Sequence, residues 1–348
     1  MFYIHLATCI SPQQTFADIK IDDLHGSFEN KLHIIEPSYS GVSPTILRRM
    51  GKAVRIGAGA AIPLLKYATA LDGIIIGTAN GGMEESTRFL KQIIEYGEDM
   101  LTPGNFVQST SNATAFQISL LSSTKGYNIT HIHRGLAFEN AVIDAAMMIS
   151  ENELNTYLLG GVDEISSYNY KLDCLEGWFK EEEISNRHLY EANSPGSIAG
   201  EGAAMFLVNG KSTNAIAKLQ AVTTLHSKDA TEVNNKLLYF LESNLLAGEQ
   251  IDLLLSGENG DNRLLHFYED CESLAGIAAV ARFKHMCGEY PTASAYALWL
   301  ACTILQTQSL PYHMVKRQYQ KTQYRNILIY NNHKGMQHSF MLVCKESW

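Results

Sequence analysis

Short β-branched runs alternate with stretches of helical periodicity along most of this chain, and that alternation restricts its fold more than any other feature. The runs at 73–77, 128–133, 156–160, 203–208 and 251–255 read as buried strands. Between them, Phe89, Ile93 and Ile94 share one face of a segment at 86–96, and Val142, Ala145, Ala146 and Ile149 share one at 138–149. Strands interleaved with amphipathic helices pack as α/β layers. The N-terminus, Met1 to Ala7, has no basic region ahead of its apolar residues and reads as a further strand rather than a signal peptide. The apolar stretch Ala295 to Leu305 is about half of the ~20 residues needed to cross a bilayer, so no membrane span is expected.

Composition narrows the class. In 348 residues, 46% are apolar and 27 basic side chains face 36 acidic ones, for a net charge of -9. That is the balance of a globular chain with a sizeable core, and it excludes disordered and collagen-like classes. At ~150 residues per domain, the length suggests two domains or one large duplicated one. Without a basic stripe, nucleic acid is not an expected partner. Six scattered cysteines contain no CxxC, which fits neither a disulfide scaffold nor a zinc site and points to the cytoplasm. The sequon Asn128-Ile129-Thr130 would then carry no glycan. Lys180-Glu181-Glu182-Glu183 and the polar residues at 186–194 read as a surface loop, and 211–215 as the boundary between halves.

Three motifs have bland readings that outweigh the functional ones. The turn at 77–82 is glycine-rich but lacks the Gly-Lys-Ser/Thr of a phosphate cradle. The polar stretch at 257–262 lacks EF-hand spacing and reads as a turn after a buried strand. His131 and His133 share one side of a strand but have no evident third ligand, so no metal site is expected. More informative is the segment at 126–161, where a strand, a glycine and an amphipathic helix succeed one another in a nucleophile-elbow layout. A side chain at such a turn would sit at a helix N-terminus, where unpaired N–H groups favour a thiolate. Here the elbow carries Gly135 and no nucleophile.

Several ordered matches resemble the β-ketoacyl-acyl carrier protein synthases of the thiolase fold. Gly196-Ser197-Ile198-Ala199-Gly200-Glu201-Gly202-Ala203-Ala204 is similar to that family's Gly-Phe-Val-x-Gly-Glu-Gly-Ala-Gly, and Leu159-Gly160-Gly161-Val162-Asp163-Glu164 to its Ala-Gly-Gly strand end. The resemblance runs from the segment at Arg48-Arg49-Met50-Gly51, through the 77–82 turn, to the C-terminus. It implies a duplicated five-layer αβαβα fold with halves at 1–210 and 211–348, the second shortened. It also implies an acyltransferase chemistry in which a cysteine accepts the acyl chain and two histidines stabilise the enolate formed when malonyl-carrier protein loses CO₂.

Carried over residue by residue, that set is absent. Gly135 stands at the cysteine, and no cysteine occurs between Cys9 and Cys174 to replace it through a slip in register. Gly257 stands at the first histidine and Glu289 at the second, where a donor becomes an acceptor; Lys284 is retained. Asn332-His333-Lys334-Gly335-Met336 occupies the place of the Gly-Phe-Gly-Gly turn. The resemblance therefore implies a chain-length-factor-like partner of an active synthase. Actinobacterial polyketide versions of that partner carry Gln where this chain has Gly135. Cys9-Ile10-Ser11-Pro12-Gln13 is closer to the start of the divergent synthase-like proteins of aryl polyene and flexirubin clusters.

Partners so implied are an active synthase or a second copy, together with acyl carrier protein; no cofactor or metal is implied. In the family the strand before the nucleophile pairs across a twofold axis, which would make Thr130, His131 and His133 a polar seam. Two alternatives stay open: an active synthase or decarboxylase using His131, His133, His285 or Glu289 as substitute acid/base groups, and an acyl-chain binding protein.

Overall fold

The computed structural model describes residues 1–346 except 41, 69, 98–99, 247, 275–278 and 319–322. Its strands and helices alternate as the patterning requires. Ten strands carry the framework: β1 (Phe2–Ile10), β2 (Gly73–Gly77), β3 (Tyr127–His131), β4 (Tyr157–Asp163), β5 (Gly202–Asn209), β6 (Ala217–His226), β7 (Leu253–Ser256), β8 (Ala279–Arg282), β9 (Asn326–His333) and β10 (Gln337–Cys344). Between them lie α1 (Lys52–Leu65), α2 (Met83–Tyr96), α3 (Ala113–Ser122), α4 (Ala137–Glu151), α5 (Ser167–Leu175), α6 (Ala230–Asn244), α7 (Leu265–Leu274), α8 (Lys284–Cys287) and α9 (Ala293–Thr307).

The sheet order shows a duplication. From one edge the first five strands run β3-β2-β4-β5-β1, and from the other edge the second five run β8-β7-β9-β10-β6, so each set has the order third, second, fourth, fifth, first. The strand directions repeat as well. β2 is parallel to β3 and β4, as β7 is to β8 and β9, while the fourth and fifth strands of each set are antiparallel. The sets join where β1 meets β6 through Phe2↔Leu219, Tyr3↔Lys218 and Ile4↔Ala217. The short strand Val315–Arg317 extends the outer edge at β8.

Alternation along the strands builds five layers. Ile75 of β2, Leu253 and Leu255 of β7 and Ile327 and Ile329 of β9 point into one central cluster with α4 and α9. Their neighbours point the other way: Ile74 and Ile76 pack with α1 and α3, and Leu254 and Leu328 with α6 and α7. The order is therefore helix, sheet, helix, sheet, helix. Because α9 lies between the two sheets, Ala293 through Leu305 are all buried. A helix apolar all round is what a central layer needs, and each large side chain it buries stabilises the fold by about 1.5–3 kcal/mol. Among the described residues no helix is long and apolar enough to cross a membrane.

The polar stretch at 180–194 lies largely on the surface, with Glu181, Glu182, Glu183, Arg187, His188 and Glu191 exposed, but Lys180 and Asn186 turn inward and are buried. The Lys180 ammonium donates to Ser194 O at 2.8 Å and Gly260 O at 2.9 Å, and Asn186 Nδ2 donates to His25 O at 3.0 Å and His285 O at 2.8 Å. Polar residues can enter the interior when every hydrogen-bonding group is matched, which composition alone does not reveal.

Candidate functional site

The C-terminal ends of the parallel strands in both halves converge on one region, the usual place for a site in such sheets. Asp163, at the end of β4, ties them together. Its Oδ1 accepts from Thr78 Oγ1 and the Ala79 and Asn80 amides, while its Oδ2 accepts from the Thr292 amide and hydroxyl ahead of α9, all at 2.9–3.2 Å. Burial pushes the Asp163 carboxyl up, and these donors oppose it. Glu201, in the glycine-rich motif, is a second clamp. It accepts from His33 Nδ1 at 3.1 Å, the Ile34 amide at 3.1 Å, Lys52 Nζ at 2.5 Å and the Ile165 amide at 3.0 Å. Burial acts against its charge, but these partners win and bring it to about 2.

At the elbow, Arg134–Leu136 forms a single 3₁₀ turn leading into α4. Arg134 has φ 49°, a left-handed conformation costing a non-glycine residue about 1–2 kcal/mol, so the sharp turn persists without a nucleophile. No side chain fits at the next position. A Cβ on Gly135 would lie 2.2 Å from His333 Cβ and 2.4 Å from His333 Cγ. The Gly135 amide, which a nucleophile's neighbour would aim at an oxyanion, donates to Gln337 Oε1 at 2.9 Å.

Gly257 is closed in the same way. A Cβ there would lie 2.8 Å from Asn331 Oδ1 and 2.9 Å from Tyr330 O. The end of β9 thus supplies Asn331 and His333 to the spaces beside the two glycines. Glu289 sits between its own partners, with Lys284 Nζ 2.9 Å from Oε1, Asn259 Nδ2 2.9 Å from Oε2, and His333 Nδ1 3.9 Å from Oε1. Burial raises the cost of its charge, yet Lys284 and His333 hold it below the ordinary carboxylate range. Gln13, in the N-terminal segment just past β1, donates from Nε2 to Met286 O at 2.8 Å and so anchors α8 beneath this cluster.

Glu289, His333 and Asn259 line a cleft shared with Glu164, Tyr170, Trp178 and Lys334, with a cavity volume of about 50 Å³. That is room for a few waters, small beside the ~300–1,000 Å³ of ordinary ligand pockets. Burial, with like charge from Glu85, pushes the Glu164 carboxyl up to about 8.

The histidines named from sequence lie elsewhere. His131 Nε2 is 2.8 Å from Asp144 Oδ2, and His133 Nδ1 accepts from Asn140 Nδ2 at 3.0 Å, both on the outward side of α4. His285 and Glu289 do not share a helical face, because α8 ends at Cys287 and Gly288 turns the chain at φ 74°. Instead, His285 belongs to a relay in which His313 Nε2 donates to Ile21 O at 2.7 Å. His285 Nε2 must then donate to His313 Nδ1, 2.8 Å away, and Tyr190 OH to His285 Nδ1, 3.1 Å away. Among the described residues, no group of three or more His, Cys, Asp or Glu side chains is placed to hold a metal ion.

The relay carries its own prediction. Burial, with His313 and Arg282 nearby, brings His285 down to about 3. A histidine depressed in the folded state stabilises fully above its unfolded value of ~6.5, and this stability is lost as pH falls from there toward about 3. Urea midpoints taken across pH 7 to 4 should fall in the wild type and flatten in His285→Phe; parallel slopes would refute the assignment.

No protein-family model matches the chain, and no curated protein matches it by sequence. Solved structures do match in fold. A β-ketoacyl synthase from Burkholderia phymatum STM815 has a TM-score of 0.79 at 14% identity, over 99% of each chain. The ishigamide ketosynthase/chain length factor has a TM-score of 0.80 at 12% identity, again over 99% of each. A type II PKS acyl-carrier protein in complex with its ketosynthase bound to the hexaketide gives 0.76 at 15%, with the same coverage. The chain has the thiolase-like fold of the β-ketoacyl synthases.

Proposed function

We propose that this chain is a β-ketoacyl synthase-like protein that does not itself condense, and that it serves as the chain-length-factor-like partner of an active synthase in fatty acid, polyketide or aryl polyene synthesis. The observation that carries this reading is the filled space beside Gly135, the residue that the family resemblance aligns with the nucleophile, where His333 occupies the room a side chain would need. Without a thiol there is no covalent acyl route, and losing even one oxyanion donor costs ~10²–10³ in rate. Folded protein incubated with an acyl-carrier protein thioester and malonyl-carrier protein is expected to show neither an acyl adduct by intact mass spectrometry nor CO₂ release. An adduct would overturn the reading.

Pairing has its own support. Two structural neighbours are described as a ketosynthase/chain length factor and as a ketosynthase in complex with an acyl-carrier protein. In this chain β3 is the last strand of the sheet, its outer edge unpaired among the described residues. Around it Phe116, Leu120, Ile132 and Met147 are 46%, 58%, 56% and 63% exposed. Apolar groups beside an open strand edge are a liability unless covered. We read this surface as the seam with the synthase, or with a second copy in the purified protein, and expect cytoplasmic residence with carrier protein docking to the pair. Light scattering at micromolar concentration should give a dimer; a strict monomer would count against the seam. The halves 1–210 and 211–348 are read as one duplicated unit, since α4 and α9 share the central core between the sheets.

A further inference from the structure

Two side chains in the cleft lack partners for polar atoms they bury. His333 is 8% exposed and Glu164 5% exposed, and among the described residues neither His333 Nδ1 nor Glu164 Oε1 has a hydrogen-bond partner. Buried polar atoms are seldom left so, and each needs a reason. The 3.9 Å between His333 Nδ1 and Glu289 Oε1 is too long for a direct hydrogen bond and short enough to be bridged by one water. Glu289 cannot swing to close the gap without giving up Lys284 and Asn259, each at 2.9 Å.

We propose that this cleft hydrolyses short acyl thioesters, a water held between His333 Nδ1 and Glu289 acting as nucleophile and the Glu164 carboxyl donating a hydrogen bond to the oxyanion. The water oxygen adds to the thioester carbonyl while its proton passes to His333 Nδ1, the imidazolium being stabilised by the Glu289 carboxylate. The tetrahedral intermediate then collapses, the C–S bond breaks, and the thiolate takes the proton back from His333. The products are a carboxylic acid and a thiol, with no change of oxidation state. Glu164 stays protonated throughout, as a donor in a water-poor site must.

The electrostatics agree with these roles. Burial, with Glu85, Glu201 and Glu84 facing it and Lys52 of α1 opposing them, keeps Glu164 protonated up to about 8. Glu289 is held ionised by Lys284. A cavity this small favours a short acyl group. Choosing a thioester rests on the partner reading above, whereas the acid–base pair does not, and a chain can pair with a synthase and still hydrolyse.

The test is acetate formation from S-acetyl-N-acetylcysteamine, monitored by chromatography, with p-nitrophenyl acetate in parallel. We expect turnover above the buffer rate, a loss of ~10²-fold or more in both His333→Gln and Glu289→Gln, and a decline in wild-type rate above pH 8. Glu164→Gln should be slower and should lose that alkaline decline, because an amide donates without titrating. Wild-type protein no faster than buffer on either compound, or His333→Gln as fast as wild type, overturns the proposal; turnover of the ester alone overturns the thioester assignment. Should circular dichroism show both 333 and 289 variants unfolded, the pH profile of Glu164→Gln decides, since an unchanged alkaline limb contradicts the assigned donor. None of these outcomes bears on pairing, which light scattering reads separately.

Discussion

Gly135→Cys is expected to restore no acyl adduct and to lower stability by about 1–3 kcal/mol or more, the range for overpacking a filled core. The new Cβ would fall 2.2 Å from His333 Cβ, and the imidazole cannot rotate away from a clash made at its own Cβ. His333→Ala would therefore leave the conflict in place. Only His333→Gly removes the offending atom, so the double variant Gly135→Cys/His333→Gly should recover part of the stability lost in the single one, a coupling between contacting residues readable from a urea double-mutant cycle. Additive effects of the two changes would refute direct occupation of the space beside Gly135 by His333. The same pair bears on function. A thiol that reacts with an acyl thioester in the double variant and not in the single one would show the elbow still shaped for a nucleophile and blocked by one side chain.

Glu201→Gln is expected to be the most damaging exchange outside the cleft. The carboxylate gathers the segment at His33 and Ile34, the Lys52 ammonium of α1 and the Ile165 amide after β4, and it is fully buried. Its pKa is brought from 4.5 to about 2, a difference corresponding to about 3 kcal/mol of stability at neutral pH. A carboxylate depressed in the folded state contributes fully above its unfolded pKa and loses that contribution as pH falls through 4.5 toward about 2. Guanidinium unfolding at pH 7 should therefore show a loss near that size in Glu201→Gln, shrinking as pH falls from 5 to 3. A constant difference across that range would mean the lost stability comes from packing rather than charge.

That Glu201 matters could be seen from the residues, because Gly200-Glu201-Gly202 stands in the motif that resembles the synthases. What it touches could not, since His33, Lys52 and Ile165 are brought to it only by the packing of α1 and β4 against the start of β5. Lys284 and Glu289 were legible in the same partial way. The family resemblance aligned Glu289 with the second histidine, but whether His285 joined them depended on Gly288, whose positive φ ends α8 and separates the two side chains. His333 carried no local signal at all. It is the last residue of β9, in a stretch that matches the family's Gly-Phe-Gly-Gly turn only in part, and nothing near it in sequence says that its ring fills the gap beside Gly135, 198 residues away. Glu164 was visible only as the residue after a strand end; the burial and like charges that keep it protonated come from elements distant in the chain.

By itself the sequence determined the features that periodicity and residue identity dictate. Alternating strands and helices, an apolar helix too short for a bilayer, and the absence of any cysteine between 9 and 174 required layered α/β packing and ruled out a thiol at the elbow. These are local properties, written in side-chain spacing and chemical type. Tertiary structure alone decided which groups meet: that two sets of five strands share one order, that β9 supplies the side chains filling the spaces at Gly135 and Gly257, and that His333 stops 3.9 Å short of Glu289. Contacts of that kind depend on volume and distance between residues far apart in the chain, and neither is set until the two sheets close on α4 and α9.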